Sequence, residues 1–361
     1  MRLMYWELRK ILIKQHGIMV LLFYFVAYVL VTSVSIQAGN VISSSIQSQL
    51  NEYYVTYSGL ITDKEMEDIN ALKESIEAAS EERVNAYISY EQGRISFEEL
   101  TAKLKMVVPF TRQETAFMRF YADFKYCVAN PEQRFILDTR GWEKLLSNDS
   151  PQLFLLFTAL LLSSMIFKED CDKEMQLIIK PTMNGHNRIL WIKIGASFVT
   201  MLLIWIVSVV AEVLSVALVY PLASSNAPLQ SLETFCNHST GMSISEGFWI
   251  GYLIRLLGLW EASILALCLT ASLRSPMLGC FLPFAVCVLG YFALDYANQY
   301  IMFPLPLSFL NGHLFLIAQE GLLTLRTFMT ILIGAIILSL CVLCVGVFCY
   351  RDICFNRSQK L

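Results

Sequence analysis

Three charged residues lie far from the ends of two long apolar segments of the chain. Glu212 falls within residues 191 to 220, and Arg255 and Glu261 fall within residues 248 to 272. A charge in the hydrocarbon of a bilayer costs at least about 2.5 kcal/mol unless it faces a partner or water. These residues therefore predict either an ion pair that braces helices or a polar path through a membrane.

The depths of the two opposite charges predict that they pair. Glu212 precedes Tyr220, at the outer end of its segment, by eight residues, and Arg255 follows Gly247 by eight residues. With a rise of about 1.5 Å per residue, both lie roughly 12 Å below the outer surface. We predict a Glu212–Arg255 ion pair that acts as a structural brace rather than as a substrate-binding site.

Glu261 lies nearer the middle of the membrane and has no obvious partner. Two interpretations stay open, since its carboxylate either lines a polar path or bonds a Ser or Thr of a neighbouring helix. The four histidines are too scattered for a metal site, and no Gly-x4-Gly-Lys-Ser/Thr loop occurs. We therefore expect no catalytic residue, metal or cofactor in this chain. A disulfide between Cys127 and Cys236 stays open.

The composition is typical of a membrane protein. Hydrophobic residues make up 56 %, charged residues make up 16 %, and the mean hydropathy is +0.54. A soluble domain carries about 25 % charged residues, so a soluble enzyme and a disordered protein are excluded. Residues 39 to 150 hold 12 basic and 18 acidic residues, whereas the remainder holds 15 basic and 12 acidic ones. An acidic block thus interrupts an apolar chain.

Six segments are apolar and long enough to cross a membrane as helices, which takes about 20 residues. The predicted spans are residues 16 to 38, 151 to 167, 191 to 220, 248 to 272, 276 to 297 and 326 to 350. The long first apolar region favours a retained helix over a cleaved signal peptide. The fold class is therefore all-α, a polytopic membrane protein with six transmembrane helices.

The positions of Lys and Arg in the short loops predict the orientation. They cluster in the N-terminal segment 1 to 15, in the loop 168 to 190 and in the tail 351 to 361, whereas the loops 221 to 247 and 298 to 325 contain none. Both termini are therefore predicted to be cytoplasmic, and residues 39 to 150 are predicted to form an extracytoplasmic domain.

The extracytoplasmic block is predicted to be helical. Thr62 and Ser96 each precede a Glu by three residues, which is the spacing of a capping box. Pro109 is expected to end the second helix, and a third helix runs from about 111 to 129. The domain either contacts a substrate or partner, or it forms a stalk that covers the outer mouth.

The loop from 168 to 190 has the most distinctive pattern. Acidic residues, among them Glu169 and Glu174, lead an apolar turn that Pro181 ends, and Gly185 helps to return the chain to the membrane. This pattern predicts a short helix on the membrane surface that a soluble partner can push.

Here the chain resembles the permease subunit of ABC-2 type ABC transporters. That family has a loop pattern close to E-x3-G…T-x2-G/S-x-x-R…K in this place, and Lys173 stands where the family has its first glycine. The residues that match are Glu169, Thr182, Gly185, Arg188 and Lys193. The resemblance assigns them to coupling with an ATPase.

Two further family features fit this chain. Residues 1 to 15 suit an amphipathic helix in the headgroup layer. Residues 298 to 325 suit the outer re-entrant segment that the family carries before its last span, because Pro304, Pro306 and Gly312 interrupt an apolar run there. We predict these three residues as parts of an outer gate.

The resemblance implies the permease half of an ATP-driven exporter in the cell membrane. Two such subunits, as a homodimer or a heterodimer, would enclose the path, and separate ATPase subunits would supply the ATP and Mg chemistry. The large domain after the first span looks like that of permeases for peptides, lipids or antimicrobials. The alternative is a membrane receptor with an extracytoplasmic ligand-binding domain. No pattern for nucleic acid occurs.

Overall fold

The computed structural model describes residues 2–39, 44–131, 133–147, 152–166, 185–222, 224–236, 241–273, 275–297 and 306–312, with single positions at 316, 336 and 340. In chain order its helices are α1 (Arg2–Arg9), α2 (Gly17–Gly39), α3 (Ser44–Thr56), α4 (Asp63–Glu91), α5 (Phe97–Val128), α6 (Arg140–Ser147), α7 (Gln152–Met165), α8 (Gly185–Ala217), α9 (Ile244–Leu273), α10 (Pro276–Ala297) and α11 (Pro306–Leu310). Within these residues the only β pairing is two isolated bridges. The all-α prediction is confirmed for them.

Three of the described helices are long and apolar enough to cross a membrane. Their apolar segments are Gly17–Val34 of α2, Trp191–Ala217 of α8 and Ile244–Thr270 of α9. Two shorter apolar segments lie in α7 and α10, at Gln152–Met165 and Pro276–Gly290. The predicted span 326 to 350 lies outside the described residues except at Ile336 and Leu340.

Large apolar side chains cover the outward faces of these helices. On α2 the exposed ones are Ile18, Met19, Leu22, Phe23, Val26, Leu30, Val31 and Val34, and on α10 they are Met277, Leu278, Phe281, Leu282, Val286, Leu289 and Phe292. Contiguous apolar surfaces of this extent are unfavourable in water and favourable in lipid. The chain is therefore a membrane protein.

The inward faces of α2, α7, α8, α9, α10 and α11 share one core. Its fully buried members are Tyr24, Tyr28, Leu155, Leu156, Ala159, Leu160, Leu162, Met201, Ile204, Ala211, Leu259, Ala262, Ala266, Cys280, Cys287, Leu307 and Leu310. Small residues on α9 let its neighbours approach closely, which is the usual way in which membrane helices pack.

The N-terminal helix lies against this bundle. A π-helical turn, Lys10–Lys14, follows α1, and Ile11 in that turn is fully buried against Ile166, Ala196 and Leu267. Met4 approaches Gly195 of α8. The opposite side of the segment exposes Leu3, Tyr5, Trp6 and Ile13. Apolar side chains therefore lie on both sides of this segment, with Met4 and Ile11 facing the bundle.

The block between α2 and α7 forms its own helical core. Both predicted capping boxes are present, with Thr62 before α4 and Ser96 before α5. Aromatic rings of α3 and α5 pack against each other and against the buried face of α4. The ring centroids of Tyr53 and Phe120 are 5.4 Å apart.

One predicted boundary was wrong. Pro109 does not end its helix, because α5 continues through it from Phe97 to Val128 and includes the third helix predicted from 111. Pro109 is exposed, so its ring and missing N–H disturb only the exposed side of α5. The buried side chains on either side of it, Val107 and Ala116, keep α5 packed against its neighbours. The helix α8 begins at Gly185, whereas its apolar segment begins at Trp191, where the sequence predicted the span to begin.

We expect Thr62→Ala to destabilise the first turn of α4 by about 1 kcal/mol, because the Thr62 hydroxyl accepts from the Glu65 N–H. Hydrogen exchange of that amide in the full chain should then accelerate about fivefold. Thr101→Ala is the matched control, since the Thr101 hydroxyl only donates to Phe97 O within its own helix. Equal exchange at Glu65 in all three proteins would contradict the capping role.

Candidate functional site

A buried ion pair joins α8 to α9. Arg255 Nη1 lies 2.6 Å from Glu212 Oε1, and the two side chains are 5 % and 4 % exposed. The pairing predicted from the depths of these residues is confirmed. Taking both charges out of water is expensive, so the pair stabilises the bundle only if its remaining polar atoms also find partners.

Two tyrosines supply those partners. The Tyr28 hydroxyl of α2 donates to Glu212 Oε1, and the Tyr252 hydroxyl of α9 donates to Glu212 Oε2. With Arg255, the carboxylate therefore accepts from three donors on two other helices. Hydrogen bonds to an ionised group are stronger than neutral ones, so this arrangement offsets much of the desolvation cost.

The same arginine holds α11. Arg255 Nε donates to the backbone carbonyl of Leu310, the last residue of α11, at 3.1 Å. The final carbonyls of a helix lack partners in their own helix, and they attract cations. One guanidinium thus joins the ion pair to the short helix of the predicted outer gate.

Glycines let α11 lie directly against the backbone of α9. A Cβ atom on Gly258 would lie 2.8 Å from Phe309 Cβ and 2.9 Å from Pro306 O, and one on Gly312 would overlap the carbonyl oxygen of Gly251. Pro306 is therefore level with Gly258, about 21 Å along α9 from its first residue, whereas Gly312 is about 10 Å along it.

The described part of the predicted gate is thus seated within the bundle. Pro306, Leu307, Phe309 and Leu310 are all buried there. Pro304 lies outside the described residues. A segment that enters the middle of an apolar bundle in this way is compatible with the predicted re-entrant geometry.

Glu261 does not join the ion pair. It is 5 % exposed, and neither of its carboxylate oxygens has a hydrogen-bond partner among the described residues. No Ser or Thr in the described part of the chain therefore makes the bond that the sequence left open. Ser263, two residues further along α9, instead shares a hydrogen bond with Ser197 of α8.

The predicted coupling residues fall into three groups. Glu169, Glu174 and Thr182 lie outside the described residues. Gly185 is the first residue of α8 and Arg188 lies in its first turn, so the end of the predicted loop is helical.

Lys193 contradicts its predicted role at a partner surface. It is 1 % exposed, and its Nζ donates to Ile166 O just beyond the end of α7, at 3.3 Å. The carbonyls that end a helix attract an ammonium group. Lys193 therefore stabilises the end of α7 inside the chain instead of facing an ATPase.

The helical block contacts the segment between α8 and α9 through polar groups. Arg140 of α6 donates to both oxygens of Asp138 and to Gln47 and Asn51 of α3, and its guanidinium lies 5.4 Å from the Tyr220 ring centroid. The Tyr126 hydroxyl donates to Gln230 O at 2.7 Å, and the Phe135 N–H donates to Ser231 Oγ at 2.9 Å. The block is therefore held against the residues that follow α8.

Carboxyl groups gather at this junction. Burial raises the pKa of Asp123, whose charge interacts with those of Asp138 and Glu233. Burial also raises the pKa of Glu143, and the charge of Asp123 adds to this effect.

Cys127 and Cys236 are both free thiols, so the disulfide left open by the sequence is absent. Burial raises the pKa of Cys127 to about 12.

No protein-family model matches the chain, and no curated protein or solved structure matches it.

The tyrosines of the site were not predicted from the sequence, although a signal was present. Tyr28 lies near the middle of an apolar span, away from the membrane interfaces where tyrosine is enriched. A buried tyrosine hydroxyl usually finds a partner, so this position pointed to a polar group on a neighbouring helix. Tyr252 lies three residues before Arg255 and therefore on the same face of α9.

We expect Glu212→Gln and Arg255→Gln to lower the stability of the purified chain by about 3 to 5 kcal/mol each, because each leaves a buried charge without its partner. The double variant should lose clearly less than the sum, as measured by thermal unfolding in detergent. The exposed Lys73–Glu77 pair, 3.4 Å apart, is the control, with a coupling below about 1 kcal/mol. Additive losses at Glu212 and Arg255 would contradict the pairing.

The junction of the helical block should weaken as the pH rises. The folded pKa values of Asp123 and Glu143 lie above their ordinary values, so their contribution is present below about pH 4 and is lost as the pH rises through the folded values. Exchange of the Phe135 amide, corrected for its intrinsic pH dependence, should therefore accelerate across that range.

Asp123→Asn with Glu143→Gln should flatten this dependence. Glu67→Gln, a change of an exposed carboxylate away from the junction, is the control and should leave it in place. An unchanged pH profile in the double variant would contradict the assignment.

Proposed function

We propose that this chain is the permease subunit of an ATP-driven exporter of the ABC-2 type. The observation that carries the proposal is a continuous connection from the predicted cytoplasmic loop to the seated α11. The helix α8 begins at Gly185, where that loop ends, and carries Glu212 about 40 Å further along. Glu212 holds Arg255, and Arg255 holds Leu310.

In this proposal an ATPase subunit presses on the loop 168 to 190, with Glu169, Glu174, Thr182 and Arg188 near its contact. The 33-residue α8 transmits the displacement as a rigid body to the ion pair. Because the last carbonyl of α11 is bound to that pair, the displacement weakens or strengthens the packing of α11 against α9. ATP binding then shifts the population between a seated and a released α11.

The remaining parts of the assembly follow from the same proposal. A second permease subunit, identical or related, completes the path, and the ATP and Mg chemistry belongs to the ATPase subunits. The chain itself catalyses no reaction. It lies in the cell membrane with six spans, with both termini cytoplasmic and the helical block outside, and its substrate is a peptide, a lipid or an antimicrobial compound.

One observation favours a second candidate, a membrane receptor. Arg140 of the helical block contacts Tyr220, three residues beyond α8, so a ligand bound to the block would act on the same helix from its opposite end. In that case the cytoplasmic partner would be a signalling protein such as a kinase. The identity of the partner separates the two functions.

The proposal predicts that a photo-crosslinking amino acid at Met183 captures an ATP-hydrolysing subunit in native membrane vesicles. The same amino acid at Met106 is the matched control, because Met106 is 77 % exposed on the helical block and should not reach that subunit. Mass spectrometry of the crosslinked product identifies the partner. Capture of a kinase at position 183 would favour the receptor, and capture of the ATPase from position 106 would invert the orientation.

A further inference from the structure

Two glutamates of the bundle are equally buried but differently partnered. Glu212 and Glu261 are 3 % and 5 % exposed. Glu212 accepts from two tyrosines and from Arg255. Both oxygens of Glu261 are buried, and within the described part of the chain neither a hydrogen-bond donor nor a cation reaches them. An ionised carboxylate costs far more than a neutral carboxylic acid in such surroundings.

Among the described helices that pack against α9, two bring no ionisable group to Glu261. Neither α7 nor α11 has an ionisable side chain in its described range. The helix α10 places the buried thiol of Cys287 close enough to Glu261 for the two groups to interact electrostatically.

Three cations of the neighbouring helices are bound elsewhere. Lys193 of α8 donates to Ile166 O, Arg255 of α9 itself pairs with Glu212, and Arg140 of α6 is bound to Asp138 at the outer end of the bundle. The charge of a Glu261 carboxylate would therefore be uncompensated by any of them.

Glu261 lies about one turn beyond the part of α9 that α11 covers. Gly258, three residues earlier on α9, packs against Pro306 and Phe309, and Gly251 packs against Gly312. The seated α11 therefore covers α9 between Gly251 and Gly258, on the side of Glu261 towards the beginning of α9.

From its burial, its missing partners and its position behind α11, we propose that Glu261 is a proton-binding site within the membrane. The carboxylate takes one proton from water when α11 leaves its seat, and the resulting carboxylic acid is enclosed when α11 returns. The proton goes back to water by the same route, and no other bond forms or breaks. Proton binding therefore favours the conformation in which α11 is seated.

Infrared spectroscopy of the full chain in lipid at neutral pH tests this site. A protonated carboxylic acid has a C=O stretching band that a carboxylate lacks. We expect this band in the difference between the spectra of the native chain and of Glu261→Gln, which keeps the size and neutrality of the acid. Glu261→Asp should shift the band without removing it. A spectrum in this region that is the same for the native chain and Glu261→Gln would overturn the proposal.

The control is Glu67→Gln, which removes an exposed carboxylate of the helical block and leaves the bundle untouched. The difference between its spectrum and that of the native chain should lack this band. A band of the same size in that difference would show that the signal does not come from Glu261. A band that disappears when sodium replaces potassium at constant pH would identify a sodium site instead of a proton site.

Discussion

The carboxylate of Glu212 is the interaction on which the architecture of the bundle depends. It gathers Tyr28 from α2 and Tyr252 and Arg255 from α9, and through Arg255 it fixes Leu310 of α11. No apolar side chain could organise four segments in this way, because dispersion contacts have no direction. A buried charge demands donors at defined angles, so it selects one arrangement of the helices among many that would bury similar apolar area.

Depth in the membrane could be predicted from the sequence, but direction around a helix axis could not. Counting residues from the ends of two spans was enough to place Glu212 and Arg255 at one level, because every residue of a helix rises by the same amount. Lys193 was assigned wrongly for the complementary reason. Its motif placed it beside the cytoplasmic surface, yet only the packing of α7 against α8 shows that a helix end lies next to its ammonium group.

In the helical block, local features could be predicted from the sequence and contacts between distant segments could not. The caps at Thr62 and Ser96 were predictable because each capping box is complete within four residues. Pro109 was misread because its local cost is outweighed by packing against other helices, and no short window of sequence contains that packing. The junction at Arg140 was missed as well, since its partners Gln47 and Asn51 are about 90 positions away in the chain.

Burial gives Cys127 a chemical consequence that its sequence position does not reveal. Because the pKa of Cys127 is about 12, only about one molecule in 100,000 carries a thiolate there at pH 7. The thiolate is the form that attacks disulfides and alkylating reagents. Its S–H also donates to Phe135 O. Cys127 is therefore oxidised and alkylated far more slowly than an exposed thiol. Maleimide dyes added to the intact protein will react with more exposed cysteines before they react with Cys127.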